Sequence, residues 1–149
     1  MASVKHTAII DADPQSIWHV LRQFNSIAEW HSGVAHCTVE GGKSADTGGS
    51  IRKLILADGG VVRQRLLSID NDLMELSYGH EESELCIKNF LAAVKVRPEE
   101  DGARSLVMWQ AHFDTTEQDD MYPSIVSAFI AEGQQSLASK LMATITIVA

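Results

Sequence analysis

Five β-rich segments follow one another through the middle of the chain, and the short breaks between them constrain the fold most. The segments cover residues 34–40, 50–57, 61–69, 73–80 and 86–97. Turn-forming residues mark the breaks, at Gly41-Gly42, Asp58-Gly59-Gly60 and Asp70-Asn71-Asp72. Strands joined this tightly are antiparallel, because a parallel return needs a crossover of about a dozen residues. The middle of the chain is therefore predicted to be an antiparallel sheet.

Two flanking strands and one long helix complete the expected architecture. Residues 3–11 and 104–113 are also β-rich, which gives seven strands, and apolar residues at helical spacing after Asp119-Asp120 predict a helix of five or six turns. A sheet covered by one long helix curls around it and leaves a concave space between them. We therefore expect an α+β fold, in one domain spanning residues 1–149, with a seven-stranded curved antiparallel sheet around a long C-terminal helix.

Two short helices are expected after the first strand. Asp13 followed by Pro14 is typical of a helix start, since Asp accepts an orphan backbone N–H and Pro fits the first turn. Apolar residues at helical spacing extend that helix to Phe24, and a second short helix is predicted through Ile27 and Trp30.

Gly133 lies in the middle of the predicted C-terminal helix. Glycine weakens a helix interior by about 1 kcal/mol relative to alanine. Two interpretations stay open: close packing of the helix on the sheet, or space for another molecule to approach.

The charge of the chain disfavours nucleic-acid binding. The formal net charge is -8, with 12 Lys and Arg against 20 Asp and Glu. The close basic pairs, Arg52 with Lys53 and Arg63 with Arg65, are interpreted as solvated strand faces rather than a phosphate-binding surface.

Other features of the sequence bear on the compartment. No apolar run approaches the ~20 residues that a membrane span needs. The start of the chain does not resemble a signal peptide, and Cys37 and Cys86 are expected as reduced, buried thiols. A cytoplasmic location is predicted.

No motif for a metal, a nucleotide or an activated nucleophile was found. Gly42-Lys43-Ser44 resembles the end of a phosphate-binding loop, but Cys37 stands where that motif needs its first glycine. The run His80-Glu81-Glu82-Ser83-Glu84 lacks metal-ligand spacing and is interpreted as a solvated acidic loop. We therefore expect neither a cofactor nor a metal.

Several stretches resemble a known superfamily, namely Ile17 to Phe24, Trp30-His31, Cys37 to Glu40, Gly48 to Arg52, Arg65 to Asp70 and Asn89-Phe90. Over nearly its whole length the chain resembles the START and birch-pollen-allergen superfamily (SRPBCC, polyketide cyclase/dehydratase-like), including its plant abscisic acid receptor branch. The resemblance implies a helix-grip fold with an internal cavity for a hydrophobic ligand. Ala35 stands where the hormone receptors carry the lysine that grips the ligand carboxylate, which argues against abscisic acid as the ligand.

The resemblance also implies two mobile loops that close over the ligand. They correspond to residues 57–60 and 81–85, which gives Asp58, Gly59, Gly60 and Glu82 as gate residues. Glycine supplies the backbone freedom for such a movement. From the residues alone, an ordinary tight hairpin turn is the preferred interpretation of the first loop.

The inward register of the family, combined with strand alternation, selects candidate ligand-binding residues. They are Leu54, Leu56, Gln64, Tyr78, His80, Phe90, Gln110, His112, Phe129 and Ile130. A slip of one residue reverses the faces of a strand, and Trp109 and Phe113 would then point inward instead.

Mostly apolar walls with a few polar groups are typical of small-molecule pockets. The leading hypothesis is a protein that binds a small hydrophobic molecule, cyclic or polyketide-like. Whether it also catalyses cofactor-free cyclisation or dehydration, with His80 in general acid–base catalysis, is left open. The alternatives are a noncatalytic carrier or sensor whose gate loops close on ligand, and a domain whose core is filled by side chains. Homodimer formation is left open.

Overall fold

The computed structural model describes residues 2–41, 48–83, 87–100, 102–115 and 121–148, apart from the side chains of residues 82 and 83. Within these ranges lie eight strands and three helical segments. The strands are β1 Ala2–Ile10, β2 Val34–Val39, β3 Ile51–Leu56, β4 Val61–Asp70, β5 Glu75–Ser83, β6 Ile87–Pro98, β7 Ser105–Thr115 and β8 Ile145–Val148. The helices are α1 Pro14–Leu21, a 3-10 helix Phe24–Glu29 and α2 Met121–Lys140.

One antiparallel sheet contains all eight strands, in the order β2-β3-β4-β5-β6-β7-β1-β8. The prediction of an antiparallel α+β fold with a long C-terminal helix is confirmed. The expected number of strands was one too small, because β8 was overlooked. Its four residues are all β-branched, but a segment this short is not stable as a strand alone, and β8 exists through its pairing with Thr7–Ile10 of β1.

The first helix begins where the sequence predicts. Asp13 is the N-cap, and its carboxylate accepts hydrogen bonds from the backbone N–H of Ser16 at 3.2 Å and from the Ser16 hydroxyl at 2.6 Å. Helix α1 ends at Leu21, earlier than expected, and the second helix is the 3-10 segment that follows. Ile17, Trp18 and Leu21 bury the apolar face of α1.

Helix α2 lies on the concave side of the sheet and is fixed to β1 and β7 by polar contacts. The buried Gln134 amide donates to the backbone carbonyls of His6 and Val107, at 3.1 Å each. The His6 ring also hydrogen-bonds the Ser127 hydroxyl at 2.7 Å. These contacts hold the helix against one half of the sheet and leave the other half to form a cavity wall.

Gly133 is a point of close packing, which decides between the two interpretations of this residue. A Cβ atom built there would lie 2.8 Å from the Trp109 ring and 2.9 Å from Nε2 of His31. The absence of a side chain therefore lets α2 approach β7 and the end of the 3-10 segment.

Candidate ligand-binding cavity

A cavity of about 370 Å³ lies between α2 and strands β3 to β6. Pockets for small molecules commonly have volumes of about 300–1,000 Å³, so this one suits a compact ligand. Its walls are mostly apolar. The lining residues are Gly33, Leu54, Leu56, Ala57, Asp58, Val62, Gln64, Tyr78, His80, Ile87, Phe90, Ile125, Val126, Ala128, Phe129, Ile130 and Glu132.

Most of the residues selected from the sequence meet at this cavity. Eight candidates line it, on three strands, the start of β6 and α2: Leu54, Leu56, Gln64, Tyr78, His80, Phe90, Phe129 and Ile130. For the candidates on β3, β4 and β5, strand alternation combined with the inward register that the resemblance implies agrees with the structure, in which one face of these strands is buried. Their contact with a ligand remains a prediction.

Gln110 and His112 do not line the cavity, so their predicted inward orientation was wrong. Trp109, Ala111 and Phe113 are among the buried residues of β7, whereas His112 is exposed. The assumed register of β7 was shifted by one residue, which reverses every side chain on a strand.

The first predicted gate segment is a hydrogen-bonded turn at the edge of the cavity. Asp58 lines the cavity, and its carboxylate accepts a hydrogen bond from the backbone N–H of Gly60 at 2.9 Å. Gly59 has φ +93°, a conformation that glycine adopts without strain. The backbone N–H of Leu56 donates to the Gly60 carbonyl at 2.8 Å, as in a tight hairpin.

The second predicted gate segment is partly strand. Glu82 was expected in a loop, but β5 continues to Ser83, and the backbone of Glu82 is paired with Arg63 of β4. The expectation of a loop at Glu82 was therefore wrong, because pairing with β4 extends β5. The rest of that segment, residues 84–85, lies outside the described residues.

A buried arginine supports the polar part of the cavity wall. Arg52 is only 4% exposed, contrary to the interpretation of Arg52 and Lys53 as a solvated pair. Its Nε donates to Oε1 of Gln64 at 2.9 Å, its Nη1 donates to the Phe24 carbonyl at 2.7 Å, and its guanidinium lies 3.8 Å from the Phe24 ring centre. The sequence signal for it was alternation, since Leu54 on the same face is also buried.

The contact with Arg52 fixes the orientation of Gln64. A guanidinium can only donate, so the amide oxygen of Gln64 must face Arg52. Among the described residues no partner of the Gln64 NH2 group is found. This group is therefore the hydrogen-bond donor that Gln64 can offer to a molecule in the cavity.

His80 lies on the same wall as a neutral ring. Burial, and secondarily the positive charge of Arg52, lowers the pKa of His80 to about 4. The ring stacks on Phe90 with centres 3.8 Å apart, and its buried Nδ1 has no hydrogen-bond partner among the described residues. At neutral pH this imidazole can donate one hydrogen bond and accept another.

The cavity opens between the β3–β4 turn and α2. The rim residues are exposed, namely Ala57, Asp58, Ala128 and Glu132. The lining residues Leu54, Val62, Gln64 and Tyr78 are buried. Glu132 accepts a hydrogen bond from the Ser32 hydroxyl at 2.6 Å, which ties the rim of α2 to the segment before β2. A ligand would pass this polar rim before meeting the apolar interior.

Sequence reasoning missed several lining residues, of which Ile87 is the clearest. Simple alternation cannot place both Ile87 and Phe90 on the same face of β6, but both line the cavity. The register of β6 shifts between Lys88 and Leu91, and Asn89 has φ 55°. This bulge turns Ile87 inward, and the alternation of residues in the segment does not predict it.

Comparisons with known proteins agree with this architecture. The family described as polyketide cyclase / dehydrase and lipid transport matches residues 1–142. The chain belongs to this family. Membership supports the binding of hydrophobic ligands in general. No curated protein matches the chain.

Solved structures show the same fold at low sequence identity. XoxI from Bacillus cereus has a TM-score of 0.84 and 22% identity, over 95% of this chain and 96% of that one. A Thermobifida fusca protein has a TM-score of 0.76 and 24% identity, over 94% and 93%. Major latex-like protein 151 from Panax ginseng has a TM-score of 0.79 and 14% identity, over 93% and 96%. These likenesses establish the helix-grip fold of this family member.

The abscisic acid receptor branch is not singled out by these comparisons. Ala35 is exposed and does not line the cavity, since the pairing of β2 with β3 shifts between Val34 and His36.

Within the described ranges, no helix is long and apolar enough to cross a membrane.

Proposed function

We propose that this protein binds a small hydrophobic molecule, cyclic or polyketide-like, in the cavity beneath α2. The observation that supports this most strongly is the apolar cavity of about 370 Å³ with a single oriented amide on its wall. Apolar walls supply affinity, and a few placed polar groups fix orientation. The ligand would carry an oxygen that accepts a hydrogen bond from Gln64, and its apolar body would contact Phe129 and Ile130.

A cavity-filling variant tests the proposal. Val62 is buried and lines the cavity, so Val62→Phe should occupy part of the space and reduce binding of an environment-sensitive apolar dye at least tenfold. Leu67→Phe is the matched control, because Leu67 is 49% exposed on the other side of β4. Equal dye binding by both variants, or failure of the wild-type protein to retain any apolar compound in native mass spectrometry, would contradict the proposal and favour a core filled by side chains.

A catalytic role of His80 is a second candidate function, favoured by its position on the cavity wall. A neutral ring beside the Gln64 amide could move a proton during cofactor-free cyclisation or dehydration. The lowered pKa makes the His80 ring a weak base, which favours ligand binding over catalysis as the main function. For an enzyme, His80→Ala should abolish turnover of a polyketide-like substrate and keep its binding. For a noncatalytic carrier, the same change should alter affinity alone.

Gating by the β3–β4 turn would make the protein a ligand sensor or carrier. Asp58 lies on the rim, where a small movement of the turn would cover the entrance. Asp58→Ala removes the hydrogen bond that the Asp58 carboxylate accepts from Gly60, so it should loosen the turn and speed dye entry and release. Asp70→Ala is the matched control, because Asp70 accepts the same kind of bond from the backbone N–H of Asp72 in a turn away from the cavity. Unchanged dye kinetics in Asp58→Ala would argue against a gate.

The compartment and the assembly are further hypotheses. A cytoplasmic location fits the reduced Cys37, which is a free cysteine. A homodimer is tested by sedimentation of the purified protein with and without an apolar ligand.

A further inference from the structure

A second, smaller space, the inner space, lies beside the ligand cavity, and Tyr78 lines both. Its volume is about 20 Å³, enough for one particle of the size of a water molecule. Four side chains with polar atoms contribute to its wall: Arg52, Trp30, Tyr78 and Trp109. The remaining lining residues are apolar or aromatic, with Phe24, Leu76 and Val94 among them.

Arg52 brings a positive charge to this space without a carboxylate beside it; the ring centres of Phe24 and Tyr78 lie 3.8 and 5.0 Å from its guanidinium carbon. Among the described residues no carboxylate forms an ion pair with it. Its two hydrogen bonds go to a neutral amide and a backbone carbonyl, and within the same ranges its other three N–H groups have no partner. Burial lowers the pKa of Arg52 to about 10, so the group stays charged at neutral pH. A buried charge without a counter-charge is costly unless something compensates it.

Trp30 and Tyr78 add further hydrogen-bond donors to the wall of this space. The indole Nε1 of Trp30 is buried and has no hydrogen-bond partner in the described part of the chain. The Tyr78 oxygen already accepts a hydrogen bond from Nε1 of Trp109 at 3.1 Å, which leaves its own proton to donate. Burial raises the pKa of Tyr78 and keeps that proton in place.

We propose that this inner space is a binding site for a small monovalent anion such as chloride, held by Arg52, Trp30 and Tyr78. All three side chains offer N–H or O–H groups, and a monatomic anion accepts hydrogen bonds from every direction. The two O–H groups of a water molecule would find no acceptor among these donors, and a neutral water molecule would leave Arg52 without a counter-ion. The site is separate from the ligand cavity and does not depend on the proposed function.

Bromide locates the site directly. In a crystal of the full chain grown with sodium bromide, an anomalous peak is expected within hydrogen-bond distance of the Arg52 guanidinium and Nε1 of Trp30. A water molecule or empty density at that position, with bromide present at high concentration, would overturn the proposal.

Thermal unfolding tests the site in solution. The melting temperature should rise with chloride and reach a plateau, relative to sodium gluconate at equal ionic strength, because gluconate is too large for the space. Trp30→Phe removes one donor to the anion and should weaken chloride binding about tenfold. Trp18→Phe is the matched control, because the Trp18 indole donates to Asn71 at 2.9 Å, outside this space. Identical melting in both salts, or an unchanged chloride response in Trp30→Phe, would refute the assignment.

Discussion

Nε of Arg52 and Oε1 of Gln64 are joined by a hydrogen bond of 2.9 Å between two buried side chains on paired strands. Gln64 lines the ligand cavity and Arg52 lines the inner space, so this bond joins the walls of the two spaces. It directs the Gln64 amide into the ligand cavity and holds the Arg52 guanidinium under the inner space.

The first prediction concerns this bond. Gln64→Leu should lower the free energy of unfolding by about 1–3 kcal/mol, because Nε of Arg52 loses its acceptor. Urea unfolding measures this change. Gln110→Leu, the same substitution on the outer face of β7, should change stability by less than about 0.5 kcal/mol. Equal effects of the two substitutions would show that the Arg52–Gln64 bond does not stabilise the fold.

The second prediction concerns the close approach of α2 to β7. Gly133→Ala should destabilise the protein by about 1–3 kcal/mol, because the new Cβ would lie 2.8 Å from the Trp109 ring. The better helix propensity of alanine offsets about 1 kcal/mol of this cost. Gln135→Ala, at an exposed position of the same helix, is the control in thermal or urea unfolding. A Gly133→Ala protein as stable as the wild type would contradict the packing described here.

The third prediction is a loss of stability in mild acid. Burial lowers the pKa of His31 from 6.5 to about 4, and its Nδ1 accepts a hydrogen bond from the backbone N–H of Gly33 at 3.0 Å. Between these two pKa values the unfolded chain binds a proton that the folded chain does not. Stability should therefore fall as the pH falls from 6.5 towards 4, by at most about 1.4 kcal/mol per pH unit for this residue.

Two measurements check this pH dependence. Urea unfolding across the window gives its slope, and ring-proton NMR gives the pKa of His31 in the folded state. His31→Gln should remove about half of the slope, because His80, whose pKa is also lowered to about 4, contributes the other half. A folded-state pKa near 6.5 would remove the basis of the prediction.

The fourth prediction concerns the last strand. Ending the chain after Thr144 removes β8 and leaves the Thr7–Ile10 edge of β1 unpaired, so the truncated protein should be less stable and more prone to aggregate. Light scattering during thermal unfolding detects both effects. Ile147→Thr keeps the strand and changes a half-exposed side chain, so it should behave as the wild type.

The sequence by itself determined the helix-grip architecture. Tight turns between β-rich segments forced antiparallel pairing, and the Asp13-Pro14 start and the long C-terminal helix were local signals that the structure confirms. Alternation on β3, β4 and β5, with the inward register that the family resemblance implies, also placed Leu54, Gln64 and Tyr78 on the cavity wall.

Only the tertiary structure decided the rest, because those features depend on contacts between distant segments. The register of β7 placed Trp109 inward and His112 outward, a bulge in β6 brought Ile87 to the cavity, and β8 formed only by pairing with β1. Arg52 shows the same limit most clearly. Its residue type suggested solvent, but the aromatic ring and carbonyl of Phe24 and the amide of Gln64 hold its charge inside the protein.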